Sequence, residues 1–288
     1  MTTKQKFIRN CYLILLIFLP TIILAAEPEQ RSNQENQKGS IIGEWLPRED
    51  IQATALTVNE PTYFIIGSND GNIKARFQLS FKYRIFDEDS FPVKKVGWLK
   101  NMKFAYTQTS LWDLSADSMP FEDSSYRPSL FWEYLNPQPG TMPNLFRIGY
   151  EHESNGRGGD SSRSIDTFFI LPAWGIPIGD KNLSVGTKLY VYLSQGAQNE
   201  DIEDYRGYAD LILRYGTEDS WLVMAMWRHG TKNKNTVQLD LSYPIRKKFF
   251  ARTGGYFYIQ TFYGYGESFL TYNQKQDVNV RLGFAIVR

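Results

Sequence analysis

Residues 146–170 read FRIGYEHESNGRGGDSSRSIDTFFI, two alternating runs joined by a loop rich in Gly, Ser and Asp. A strand turns successive side chains to opposite faces. Phe146, Ile148 and Tyr150 therefore share one face, and Arg147, Glu151 and Glu153 share the other. His152 and Ser154 continue the apolar face. On the second run Asp166 has the parity of Phe168 and Ile170, so a hairpin brings it beside them. If the apolar face meets lipid, then Ser154, His152 and Asp166 meet it too, as nucleophile, base and orienter. The plainer alternative is an incidental His and Ser at a loop edge, with Ser161 to Ser164 a solvated turn.

Composition supports a strand architecture. The 288 residues are 15% aromatic, with 18 Tyr and 7 Trp, and the formal net charge is +1. With a mean hydropathy of -0.40, this suits a transmembrane β-barrel, whose apolar content is diluted by alternation; a soluble sandwich or lipocalin-like barrel shares the composition. The near-neutral balance points to no nucleic-acid partner.

Residues 1–26 read as a secretory signal, with Lys4, Lys6 and Arg9 ahead of an apolar run from Cys11 to Leu24 and cleavage expected after Ala26. An uncleaved anchor is the alternative, although the run is short for a spanning helix. Cys11 is the only cysteine, so the mature chain is expected to hold no disulfide and no thiol chemistry. Residues 27–60 begin EPEQRSNQENQKGS and read as a flexible N-terminal segment, with 41–61 an irregular lead-in. The barrel is expected over 61–288.

No later segment approaches a transmembrane helix, so a membrane location would require a closed barrel. Period-two patterning predicts twelve strands, at 62–67, 74–86, 98–112, 126–135, 144–154, 165–175, 183–194, 205–216, 220–229, 236–244, 249–262 and 277–288. An even count places both termini in the periplasm, and loops 113–125, 155–164, 195–204, 230–235 and 263–276 outside the cell. Inward charges such as Arg147, Glu151 and Glu153 are expected to fill the bore with a polar network.

The block HESNGRGGDSSRS, residues 152–164, resembles the HDSNGRS…TSRS block of the outer-membrane phospholipase A family. GYGES at 264–268, with Tyr272 and Asn273, resembles a second block of that family, in the same order. The resemblance implies an all-β, 12-stranded antiparallel transmembrane β-barrel in the bacterial outer membrane. It also implies a calcium-dependent phospholipase with A1, A2 and lysophospholipase activities. Ser154 would attack, His152 would carry the proton and the Gly156 N–H would meet the oxyanion. The family has Asn where this chain has Asp166. Either side chain can accept from the imidazole, so activity is expected to survive with an altered pH profile.

By the same resemblance calcium would be held by the Arg157 carbonyl and the Ser162 hydroxyl, with the Ser118 carbonyl supplied by a second subunit. The family's loop carboxylate falls in register at Gly159, with Asp160 beside it as the substitute. A homodimer with calcium at the subunit interface would then be the active form on phospholipid substrate.

Other candidates read more plainly. His229 is a surface or girdle histidine, and Tyr263, Tyr265 and Tyr272 an interfacial girdle. Lys232 and Lys234 suit either lipopolysaccharide phosphates or a solvated loop. Arg288 ends a chain whose class often ends in an aromatic residue. The rival functions are a non-catalytic channel or structural barrel, and an esterase acting on lipopolysaccharide acyl chains.

Overall fold

Inward polar and outward apolar side chains alternate along most of the long strands, and antiparallel pairing closes the sheet on itself. The computed structural model describes residues 55–69, 71–138, 140–245 and 255–288. The expected signal at 1–26, Cys11, most of the N-terminal segment and the beginning of the strand expected at 249–262 lie outside the described residues. Twelve long strands follow in chain order after a two-residue β1, Leu56–Thr57. They are β2 Thr62–Asn69, β3 Asn72–Arg84, β4 Met102–Asp113, β5 Phe121–Leu135, β6 Leu145–Ser154 and β7 Ser164–Ile178. After them come β8 Lys181–Gln195, β9 Ala209–Gly216, β10 Leu222–His229, β11 Asn235–Pro244, β12 Tyr256–Tyr265 and β13 Lys275–Val287. Each pairs antiparallel with its neighbours, and β13 pairs with β2 to close a twelve-stranded barrel. Closure leaves no open edge in lipid.

The expected strands are found, with three shifts. Gly97–Asn101 forms a 3-10 turn after α1, Phe91–Lys95, so the strand expected from 98 begins at Met102; Pro92 in the first turn favours that short helix. The strand expected from 126 begins at Phe121, and the one expected from 205 begins at Ala209 because Glu203–Arg206 forms α2.

The outward face carries large apolar side chains, among them Leu79, Phe104, Val223, Leu239, Leu282 and Ile286. The bore is polar, and many of its charges are paired. Lys82 donates to both Glu133 oxygens at 2.7 and 2.8 Å, and Arg147 Nε donates to the same carboxylate at 2.8 Å. Lys188 meets Glu151 at 2.7 Å, and Arg228 grips Asp210 with two bonds of 2.6 and 2.7 Å. Such pairing is what buried charge requires.

The chain ahead of β2 also turns inward. Glu60 accepts from Arg127 at 2.6 Å, and the Asn59 side-chain amide oxygen, Oδ1, accepts from Arg147 at 3.1 Å. At the far end of the chain Arg288 donates to the carbonyls of Thr217, Glu218 and Ser220 at 2.8, 2.6 and 2.9 Å, and its guanidinium lies over the Tyr256 ring. The terminal arginine thus fastens β13 to the β9–β10 turn.

Candidate active site

β6 and β7 form the hairpin read from residues 146–170, and its register sets the site. His152 lies directly opposite Asp166, and Ser154 directly opposite Ser164. His152 Nδ1 is 2.8 Å from Asp166 Oδ1, each side chain about one-third exposed at 34% and 28%. With the proton on Nδ1, the ring donates to the carboxylate and leaves Nε2 bare for proton transfer. The side chains stand on the outward face, in line with Tyr150 and Phe168. Tyr150, diagonal to Asp166, donates its hydroxyl to the same Oδ1. A bulge between Asp166 and Thr167 in the β7–β8 pairing lies beside the acid, a common device for aiming a side chain.

Ser154 ends β6, on the same face as the ring. Among the described residues no hydrogen bond joins its hydroxyl to His152. Such contacts often tighten only when substrate arrives. Gly156 follows the strand end with φ +67, a left-handed backbone that glycine adopts freely. A Cβ there would come within 3.1 Å of the Tyr126 ring.

Asn155, between them, organises the loop, a role the sequence reading did not assign. Its amide nitrogen donates to the Ser161 carbonyl at 2.9 Å and to Asp123 at 3.4 Å. Its amide oxygen accepts from the Arg163 and Arg157 backbone N–H groups at 3.0 and 3.3 Å. Buried Asp123 accepts in turn from the Leu270 N–H at 2.7 Å, which ties in the loop after β12. The Asn-Gly pair signals a turn, but nothing local in sequence announces contacts with Asp123 and Ser161.

The loop after β12 folds inward. Phe269 and Tyr272 are buried with Ile165 and Ile202, and the Tyr272 hydroxyl donates to Asp201. This corrects the girdle expectation for Tyr272, whose aromatic face contributes to a cap over the barrel end; Tyr263 remains outward and exposed. Glu267 accepts from Arg281 at 2.6 Å. Tyr265 packs on Tyr205, and Lys234 donates to its hydroxyl at 3.3 Å. Lys232 pairs with Asp204 at 2.7 Å, while His229 stays exposed beside Asn235. The Lys232 ammonium holds the Asp204 carboxyl below its ordinary value.

The residues that the resemblance assigns to calcium lie in two loops. Arg157, Asp160 and Ser162 share the loop after β6, with Asp160 in the turn Gly159–Ser161. Ser118 lies in the β4–β5 loop at φ 62. Arg157 ties its loop to the start of β5, just after the Ser118 loop, by donating to the Phe121 and Glu122 carbonyls. Among the described residues no group of three or more His, Cys, Asp and Glu side chains is placed to hold a metal. The donors at hand are all oxygens, and the Arg157 carbonyl, Asp160 carboxylate and Ser162 hydroxyl accept no hydrogen bond among the described residues. Free oxygen ligands with room for water suit calcium.

Together these features define a β-barrel that presents a serine and a carboxylate-supported histidine on its apolar outer surface, beside an oxygen-lined loop. The sequence pattern of the family described as phospholipase A1 matches residues 50–286, and the chain belongs to that family. It is similar to the Escherichia coli phospholipase A1, with 27% identity over 301 residues covering 96% of each chain. The solved E. coli outer membrane phospholipase A superposes with a TM-score of 0.69 over 88% of this chain and 99% of its own. The Salmonella typhi outer membrane phospholipase, solved as a dimer with bound calcium, gives 0.68 at 25% identity over 87% and 98%. A Neisseria meningitidis relative is 30% identical over 219 residues, 71% of this chain, which spans about half (52%) of that protein's length.

Proposed function

We propose that this chain is a calcium-dependent phospholipase A of the bacterial outer membrane, which hydrolyses acyl esters of outer-leaflet phospholipids and is activated by dimerisation. The observation that carries the reading is the His152–Asp166 contact on the lipid-facing surface, with Ser154 on the same face at the strand end. An ester hydrolase acting on bilayer lipid needs its nucleophile on that surface. A channel does not, and its bore is better left open than crossed by ion pairs.

Ser154 Oγ attacks the acyl carbonyl as His152 Nε2 takes its proton. The carbonyl carbon becomes tetrahedral, and the Gly156 N–H donates to the resulting oxyanion. Collapse breaks the ester bond, His152 returns the proton to the departing lysophospholipid oxygen, and the acyl group stays on Ser154. Water, deprotonated by the same nitrogen, then frees the fatty acid and restores the serine. Asp166 keeps the ring in the required tautomer and stabilises the imidazolium. Calcium, when bound by the Arg157 carbonyl, Ser162 hydroxyl and Asp160, with Ser118 from a second copy, supplies positive charge near the substrate carbonyl. A1, A2 and lysophospholipase activities follow if either acyl chain can reach Ser154 along an open surface.

The test is phospholipid hydrolysis by refolded protein in detergent, with calcium and then with a chelator, alongside Ser154→Ala. Calcium-dependent release of fatty acid that disappears in the variant is expected. Hydrolysis that persists in Ser154→Ala, or none under dimer-favouring conditions, overturns the reading. Preference for lipopolysaccharide over phospholipid would indicate the acyl-esterase alternative.

A further inference from the structure

Asp166 is a carboxylate on the outward face, between Ser164 and the apolar Phe168 on its own strand, and most of its side chain is covered. A carboxylate only accepts hydrogen bonds, and its burial away from water is costly unless donors reach it. Two do: the His152 ring at 2.8 Å and the Tyr150 hydroxyl, both at Oδ1. Tyr150 stands two residues before His152 on the same strand face, with Phe168 as its register partner, so its ring reaches Asp166 diagonally across the pair. Among the described residues its hydroxyl has no other hydrogen-bond partner, although the residue is 41% exposed.

Resting on the proposed reaction, we propose that Tyr150 is a positioning residue, which anchors Asp166 Oδ1 beside the imidazole and so holds His152 in its working tautomer. The relay then runs Tyr150–Asp166–His152–Ser154. Without the phenol, the acid keeps a single donor and its χ angles are free to carry Oδ1 away from the ring. A tyrosine acting only as an interfacial anchor would have no such link with Asp166.

The experiment is a double-mutant cycle on the full refolded protein, assayed with calcium and phospholipid in detergent. Tyr150→Phe is expected to lower kcat about tenfold, with KM within about twofold of the parent. In an Asp166→Ala background the same change is expected to alter kcat less than about twofold, because the acceptor is already gone. Equal losses in both backgrounds, no loss in the parent, or a rise in KM in place of a fall in kcat would overturn the proposal. A second readout needs no turnover. The chain has 2 histidines, so nitrogen NMR in a His229→Gln protein reports the His152 tautomer alone. The Nδ1–H form is expected to dominate in the parent and to lose population in Tyr150→Phe; an unchanged tautomer refutes the role of Tyr150. Should the parent hydrolyse nothing, the phospholipase reading fails while this measurement still decides about Tyr150.

Discussion

Asp166 differs by one atom and one charge from the asparagine that the family resemblance places there, and its side chain is mostly covered, with Phe168 beside it on the same strand face. In the proposed reaction its task is to accept from His152 Nδ1, which an amide oxygen also performs. Asp166→Asn is therefore expected to retain most of its turnover. Asp166→Ala should lower kcat by about tenfold to a thousandfold, well short of the loss in Ser154→Ala, since orienting the base is only part of the catalytic effect. Equal losses in kinetic assays would sink the assigned roles. At Gly156 the argument is steric as well as chemical. Left-handed φ and the Tyr126 ring 3.1 Å from a new Cβ make Gly156→Ala displace the N–H that would meet the oxyanion. The expected outcome is a fall in kcat of about 10²-fold with folding intact, checked by kinetics together with the heat-dependent gel mobility of the barrel.

The β6–β7 hairpin was legible because its alternation is unbroken: parity alone put His152, Ser154 and Asp166 on one face, and the register sets His152 opposite Asp166. What the hairpin's loop does was not legible. Asn155 makes bonds to Asp123 and Ser161 that close over distances in sequence, and no periodicity reports them. The same holds for Tyr272, whose aromatic type suits a girdle as well as the buried cluster it occupies with Phe269. Short helices were missed at 97–101 and 203–206 because one turn leaves no amphipathic pattern to read. Asn155→Ala removes four hydrogen bonds from one buried side chain. At roughly 1 kcal/mol each, that exceeds what an exposed loop can lose and stay ordered. Faster amide exchange across 155–163, with the strands unchanged, is the expected result; protection equal to the parent would show that the loop is held by other contacts.

The barrel as a whole has an inside held by charge and an outside wetted by lipid, so its stability and its activity respond to different perturbations. Inside, Glu133 pairs with Lys82 and Arg147 at once. Glu133→Ala strands both cations and is expected to cost about 3–5 kcal/mol, measurable as a lower denaturant midpoint for unfolding from lipid vesicles. Outside, the oxygen donors of Arg157, Asp160 and Ser162 come from one copy, and Ser118 of the same chain stands in a separate loop. If calcium joins two copies through those groups, metal binding and association are linked, and each must strengthen the other by the same factor. Chelation should then lower both hydrolysis and the cross-linked dimer fraction, and it should lower the unfolding midpoint only by the stabilisation that bound calcium adds, because the bore's ion pairs do not contain the metal. Asp160→Asn should weaken the calcium response by about tenfold or more while leaving the calcium-saturated rate near that of the parent. A calcium titration of hydrolysis, run beside cross-linking at each concentration, checks this directly. Coincident midpoints are expected, and a dimer that forms fully without calcium while hydrolysis still demands it would separate the metal from assembly.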